Sequence, residues 1–239
     1  MMPHGMDAGE WRGVIDAIER LLPYYERVNL ATTFGQLPLW RERVAGTAGA
    51  DEVVLEIGSG PGGFARRLGA RRVYCLDPSR SMLRFARMRL TGERYRFLSG
   101  LAERIPLRTA SVDRVYCAFS FRDFLDKPAA VREIARVLRP GGRLHVLEAA
   151  RPPPGFRRAF LDSWLSLGTP GLIRMLVPGR VRRTWRENPY VAFLRTYEAF
   201  GSPEAYEGLL RCSGFSQAGL EYLSLRSIFH LWGVRARTT

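Results

Sequence analysis

Lysine is almost absent. Lys127 is the only one among 37 basic side chains, so the cationic surface is written in arginine. Such a bias follows coding preference as readily as function. Cysteine is scarce as well. Cys75, Cys117 and Cys212 lie in or near apolar segments, match no metal-binding spacing, and are odd in number. A disulfide framework and a metal cluster are both excluded on that pattern, leaving three small buried hydrophobes. Of three histidines, His145 and His230 fall inside strand-like runs, where packing is the plain reading. No apolar run reaches the roughly 18–20 residues that span a bilayer. Met1–Glu10 lacks the basic-then-apolar pattern of a secretion signal, which makes the cytoplasm the expected location.

What is present fits one large domain. The 239 residues are 46% hydrophobic and 25% charged, ordinary for a globular chain with its own core. The net charge of +14 favours anionic partners, either nucleic acid or an anionic membrane face. The arginines are spread along the chain, with no basic tail and no separate RNA-binding module. Nucleic acid is therefore the weaker of the two.

Apolar, β-branched runs occur at Glu52–Ile57, Arg72–Leu76, Tyr95–Ser99, Val112–Ala118 and Arg143–Glu148. Helical stretches separate them near Gly62–Leu68, Ser79–Arg89 and Ala129–Leu138, the last stopped by Arg139-Pro140-Gly141-Gly142. This alternation predicts a mostly parallel sheet covered by helices on both faces. The rhythm changes near the end. Ser202-Pro203-Glu204 caps and opens a helix to about Cys212, and Gly214 breaks it. The runs Gln217–Leu223 and Ser227–Arg235 are joined too tightly for a crossover and predict an antiparallel edge pair, giving seven strands. One domain of four parts is expected: a helical segment 1–50 rich in aromatics (Trp11, Tyr24, Tyr25, Phe34, Trp40), a core 51–150, an apolar and arginine-rich insert 151–200, and a C-terminal helix with its hairpin, 201–239.

Val53-Val54-Leu55-Glu56-Ile57-Gly58-Ser59-Gly60-Pro61-Gly62-Gly63 is a buried strand running into a glycine turn, and Asp77 closes the next apolar run. The glycines let the backbone turn tightly and approach a ligand. Gly58, Gly60 and Gly63 also fit the dinucleotide fingerprint, which alone is weak. A pyrophosphate wants the bare positive end of a helix. Adenosylmethionine carries a sulfonium and an ammonium instead, and an acidic residue at the strand end, Glu56, suits those cations and opposes a phosphate. Asp77 is placed to accept the ribose hydroxyls of either cofactor. Its plainer role is capping, since Pro78-Ser79 follows.

On these residues the chain resembles a class I adenosylmethionine-dependent methyltransferase, which implies an α/β Rossmann-like sheet. Leu101-Ala102-Glu103-Arg104-Ile105-Pro106-Leu107, Ser111-Val112-Asp113-Arg114-Val115 and the turn Leu138–Leu144 carry the same likeness. The cofactor positions it implies are Glu56, Gly58, Ser59, Gly60, Gly62, Asp77, Pro78, Met82, Ala102, Glu103 and Ala118. More specific stretches resemble the ubiquinone/menaquinone C-methyltransferase family. They are Tyr25-x-x-x-Asn29 with Phe34-Gly35 and Leu39-Trp40, Phe119-Ser120-Phe121-Arg122-Asp123 as a shortened Ser-Phe-Gly-Leu-Arg-Asn, and Leu144–Glu148 followed by Pro152. Asp123 stands where that family carries asparagine, and Leu101 where it commonly carries a polar residue. The latter implies that adenine is held by backbone groups near Ala102 and Glu103.

The resemblance implies methyl transfer from sulfonium to a ring carbon of a prenylated hydroquinone. Arg122 is the expected stabiliser of developing negative charge, with Tyr25, Asn29 and Glu148 as its partners at the reaction centre. Residues 151–200 are expected to form a lid over a greasy acceptor and to contact an anionic bilayer, or else to be a plain helical cap. Rival readings are a methyltransferase for a sterol or polyketide, an RNA-modifying protein, and a scaffold that binds cofactor without catalysis.

Overall fold

A computed structural model describes residues 19–183, 194, 196–198 and 200–237. Trp11 and residues 184–193 of the expected lid lie outside them. The strands are β1 Val53–Ile57, β2 Arg72–Asp77, β3 Tyr95–Ser99, β4 Val112–Ala118, β5 Leu138–Ala149, β6 Phe215–Leu223 and β7 Ile228–Arg235. They form one seven-stranded sheet in the order β3-β2-β1-β4-β5-β7-β6. β1, β2, β3, β4 and β5 pair in parallel, whereas β7 runs antiparallel to both β5 and β6. The strand order reverses between β1 and β4, and ligands of open α/β sheets bind at the carboxyl ends of strands flanking such a reversal.

Helices α1 Tyr25–Thr32, α2 Leu37–Ala45, α3 Arg80–Arg89, α4 Lys127–Val137, α5 Phe156–Ser163, α6 Thr169–Leu176, α7 Gly179–Arg182 and α8 Pro203–Cys212 surround the sheet. All five β1 residues are buried, as a central parallel strand requires. One face is packed by Ala130, Val131, Ile134 and Val137 of α4 with Tyr206, Leu209 and Leu210 of α8. The other carries Leu37, Trp40 and Val44 of α2, Phe64 and Leu68 of the glycine turn, and Ala86 and Leu90 beside α3. Each of the buried Val, Leu, Ile and Phe side chains among these contributes about 1.5–3 kcal/mol.

Several expectations need correction. No α-helix forms over Gly62–Leu68. Only a 3₁₀ turn, Ala65–Arg67, is present, because Leu68 is already extended and β2 begins at Arg72. Arg139-Pro140-Gly141-Gly142 falls within β5 as a bulge, where the pairing jumps from Val112–Leu138 to Arg114–Arg143 and Gly141 has φ +79°. Asp126 caps α4 through Ala129 N–H, so that helix starts at Lys127, two residues early. Cys212 ends α8 on the surface, so only Cys75 and Cys117 are buried.

The two strand histidines do more than fill space. Arg114 of β4, His145 of β5, His230 of β7 and Glu221 of β6 form one chain of hydrogen bonds across four strands. A guanidinium only donates, so His145 Nε2 accepts from Arg114 at 3.4 Å. That fixes His145 Nδ1–H as donor to His230 Nε2 at 3.0 Å, and His230 Nδ1–H as donor to Glu221 at 2.9 Å. Burial, with His230 and Arg114 adding to it, pushes His145 down to about 3. An unfolded histidine titrates near 6.5, so below that pH the unfolded chain binds a proton the folded chain refuses. Stability is therefore expected to fall from about pH 6.5 toward 3, by up to about 1.4 kcal/mol per pH unit. Thermal melts on His145→Gln check this, and a fall as steep as the unaltered chain's contradicts it.

Candidate active site

The glycine turn follows from where β1 stops. Gly58 has φ +69°, and a Cβ there would lie 2.3 Å from Ser120 Cβ, so only glycine fits under β4's exit. Gly58 and Ser59 donate to Leu76 O at 2.8 and 3.1 Å, which ties the turn to β2. Gly60 N–H donates to Asp77 Oδ2 at 2.8 Å, and Ser79 N–H to Asp77 Oδ1 at 2.9 Å. Asp77 thus braces the turn, while Ser79 is the N-cap of α3. Each carboxylate oxygen still has a second lone pair for a ribose hydroxyl. Burial pushes Asp77 up to about 6, with the Ser79 and Gly60 bonds opposing.

Beyond the turn lies a smaller cavity whose wall includes Gly58, Gly60, Asp77, Pro78, Met82, Ala102 and Glu103. Glu56, Ser59, Gly62 and Ala118 lie off that wall. Glu56 is buried beneath the turn, where burial pushes its carboxyl well up and the Arg41 charge opposes. Gly62 faces Leu90. Leu101 is on the wall beside Ala102, and Ser120, Phe124 and Leu125 add to the wall from the β4 exit.

This site suits adenosylmethionine better than a dinucleotide. A Cβ on Gly63 would lie 2.1 Å from Glu26 Oε1, so the open side of that glycine is filled by a carboxylate ion-paired to Arg41. A pyrophosphate would meet that charge, and a three-residue 3₁₀ turn offers no helix N-terminus to hold it. Among the described residues the buried Glu56 Oε2 has no hydrogen-bond partner, and no phosphate-binding cation lines the cavity at this strand end. When bound, the cofactor supplies an electrophilic methyl group on a sulfonium.

A larger cavity of about 390 Å³ opens on the other side of Tyr25, Phe119 and Asp123, which line both cavities. Its wall brings together Tyr25 and Asn29 of α1 with Arg122 of the 3₁₀ turn Phe121–Asp123. Burial raises the Tyr25 hydroxyl above its ordinary value; the Arg41 and Arg122 charges and an Asn29 hydrogen bond oppose it. Glu148 is on neither wall. It lies fully buried behind Arg122, accepting from Arg122 Nη1, Arg122 N–H and Ala149 N–H. Burial works against the Arg122 charge, but Glu148 and Asp123 more than offset it and hold the guanidinium protonated.

Lys127, the lone lysine, is buried and donates to Arg122 O at 3.0 Å and Phe124 O at 3.3 Å, locking the turn that carries Arg122. Phe119 has φ +61°, strained for a bulky residue and placed where the cavities meet. Neither role was read from the sequence, since a single lysine and a single phenylalanine carry no spacing signal. Arg41 of α2, a charged side chain, is buried against the glycine turn.

The remaining wall is apolar and comes largely from the insert. α5 runs into a π-helical turn, Trp164–Gly168, and then α6. Gly168 permits this, because a Cβ there would strike the Trp164 ring at 2.3 Å. Trp164 packs on Phe34, with ring centroids 4.5 Å apart, and its Nε1–H donates to Thr32 O at 3.0 Å. Phe156, Phe160, Leu161, Trp164 and Leu165 line that cavity.

Residues 55–146 match the methyltransferase domain family. The chain is 32% identical to the demethylmenaquinone methyltransferase of Thermus thermophilus, an alignment covering 82% of this chain and 90% of that protein. The chain belongs to the ubiquinone/menaquinone C-methyltransferase family. It is an adenosylmethionine-dependent methyltransferase. The corresponding enzyme of Deinococcus radiodurans is 31% identical, with 89% of each chain covered. An adenosylmethionine-dependent methyltransferase of Thermotoga maritima, titled a possible histamine N-methyltransferase, shares the fold at TM-score 0.64 and 21% identity, over 92% of this chain and 99% of that one. Among the described residues no helix of this methyltransferase is long and apolar enough to cross a membrane.

Proposed function

We propose that this methyltransferase methylates a ring carbon of a prenylated hydroquinone of the demethylmenaquinol type. One observation carries the reading. The cofactor cavity and a large apolar cavity share Tyr25, Phe119 and Asp123, with Arg122 beside them. The named activity of the Thermus and Deinococcus relatives points to the same acceptor.

The residues divide the work. Aromatic and aliphatic side chains of α5 and the π-helical turn bury the prenyl chain and exclude water. Ring carbon is a weak nucleophile until a hydroxyl on the ring ionises, and Arg122 is placed to stabilise that oxyanion. Glu148 and Lys127 hold Arg122 and its turn in position. Alignment of acceptor and methyl donor at the shared wall contributes up to roughly 7–11 kcal/mol in well-oriented cases.

The mouth of the larger cavity faces an anionic bilayer in this reading. Phe34, Phe156, Phe160 and Leu225 on its wall are strongly exposed, Phe156 at 86%, and Arg157 lies among them. Apolar side chains with basic neighbours suit a lipid surface holding a prenylated substrate. Labelled adenosylmethionine offered with demethylmenaquinol in anionic vesicles, a sterol, a polyketide phenol and RNA tests both points. Label in the quinol, with protein sedimenting with the vesicles at low salt, is expected. Label only in RNA overturns the acceptor, and protein left in the supernatant overturns the bilayer contact.

A further inference from the structure

A hydroquinone carries two ring oxygens, and Arg122 serves one of them. The other keeps its proton on the opposite side of the ring, inside a largely apolar wall. A buried hydroxyl without a partner weakens binding, so the cavity needs a polar group away from Arg122.

Most polar side chains of the wall are committed elsewhere. The Thr32 and Thr33 hydroxyls donate to Asn29 O at 3.2 and 2.7 Å. Asn29 is itself hydrogen-bonded to Tyr25 at the reaction centre. Ser227 Oγ donates to Ser224 O at 2.6 Å. Trp40 Nε1–H donates to Ser224 Oγ at 2.7 Å, and Ser224 Oγ donates in turn to Gln36 Oε1 at 2.8 Å. This relay holds the Gln36 amide by its oxygen and leaves its two N–H donors over. Gln36 Nε2 makes no hydrogen bond among the described residues and is not buried, while Gln36 lines the larger cavity.

The turn that holds this amide is strained. Ser224, Leu225 and Arg226 join β6 to β7 with φ of +44°, +58° and +70°, three successive left-handed residues without a glycine. Such backbone persists only where surrounding contacts over-determine it, and it clusters at ligand sites. Here the contacts come from Gln36, the N-cap of α2, and from Trp40 one turn further on. The Trp40 ring stands 6.4 Å from that of Phe119, which lies on the wall shared with the cofactor cavity. The Gln36–Ser224 pair is therefore one aromatic side chain removed from the junction of the two cavities.

We propose that Gln36 is a specificity-determining residue whose amide donates to the acceptor's second ring oxygen, with Ser224 and Trp40 as the positioning residues that aim it. The inference rests on the hydroquinone reading above. Gln36 then selects acceptors with an oxygen opposite the one that ionises. That second oxygen keeps its proton throughout, so the bond is equally strong before and during methyl transfer. Its loss therefore appears in KM, in contrast to the effect expected at Arg122.

Gln36→Leu is compared with the unaltered enzyme on two short-chain acceptors, a demethylmenaquinol and its analogue lacking the second ring oxygen. For the quinol, KM is expected to rise on the order of 10-fold with kcat within about threefold. For the analogue, the two enzymes should agree within about twofold, read as KM or as an inhibition constant against the quinol. Ser224→Ala leaves the amide in place but unaimed, and should raise the quinol KM by less, with the same indifference to the analogue. Adenosylmethionine affinity by calorimetry should be unchanged in both variants, since neither residue lines the cofactor cavity. A quinol KM within about twofold of the unaltered enzyme overturns the proposal. So does an equal loss on quinol and analogue, which marks a change of cavity shape. Failure of the acceptor reading is distinct: the unaltered enzyme then binds adenosylmethionine and methylates no quinol.

Discussion

Arg122→Ala is expected to lower kcat on the order of 10²–10³-fold while adenosylmethionine affinity stays near that of the unaltered enzyme. Arg122 lines the larger cavity and not the smaller one beside the glycine turn, so on the proposed reading the two readouts should separate. A preorganised cation beside a forming oxyanion acts only as charge develops, which places its effect in kcat more than in KM. The substitution also leaves Glu148 buried without its guanidinium. Arg122→Ala combined with Glu148→Gln removes that stranded charge and isolates the catalytic loss. Steady-state kinetics with a short-chain demethylmenaquinol, beside calorimetry for the cofactor, checks the prediction. Unchanged turnover with intact binding would remove Arg122 from the mechanism.

Glu148→Ala should produce the largest stability loss of any single change at the site. The carboxylate is wholly inaccessible and accepts three hydrogen bonds from Arg122 and Ala149. Breaking a buried pair by removing one partner costs about 3–5 kcal/mol, since an uncompensated charge remains. For a chain of this size that corresponds to a melting temperature lower by roughly 6–20 °C. Glu148→Gln keeps an acceptor for the backbone N–H groups and should lose less. Thermal melts of the two variants at neutral pH decide it; equal, small losses would mean that Arg122 is held mainly by other contacts. Because Glu148 touches neither cavity, its effect on kcat should follow from Arg122 losing its orientation.

The sheet was legible because its strands are nearly continuous apolar, β-branched runs, the signature of strands buried on both faces. The edge hairpin was legible because Gln217–Leu223 and Ser227–Arg235 leave no room for a crossover. The glycine turn and Asp77 announced an adenosine-type cofactor, and Gly63 facing Glu26 explains physically why a phosphate is unwelcome there. Other features depend on long-range contacts that a linear pattern does not carry. The missing helix after the turn is set by the short span to Arg72. Trp164 folding over Gly168 onto Thr32 joins segments 132 residues apart. Asp123 departs from the family pattern, and only the fold of the turn shows that it lies on both cavity walls. Glu56 was correctly seen as a strand-end carboxylate, yet it supports the turn from below and lies off the cavity wall.

The central claim is carbon methylation where the two cavities meet, and an isotope measurement tests it most directly. A demethylmenaquinol deuterated at the vacant ring carbon is incubated with the enzyme and adenosylmethionine, and the lipid product is analysed by mass spectrometry. The account predicts a product that gains one methyl group and loses the ring deuterium. A methylated product that keeps the deuterium would show transfer to oxygen, and with it the account of Arg122 and the ring carbon would be contradicted.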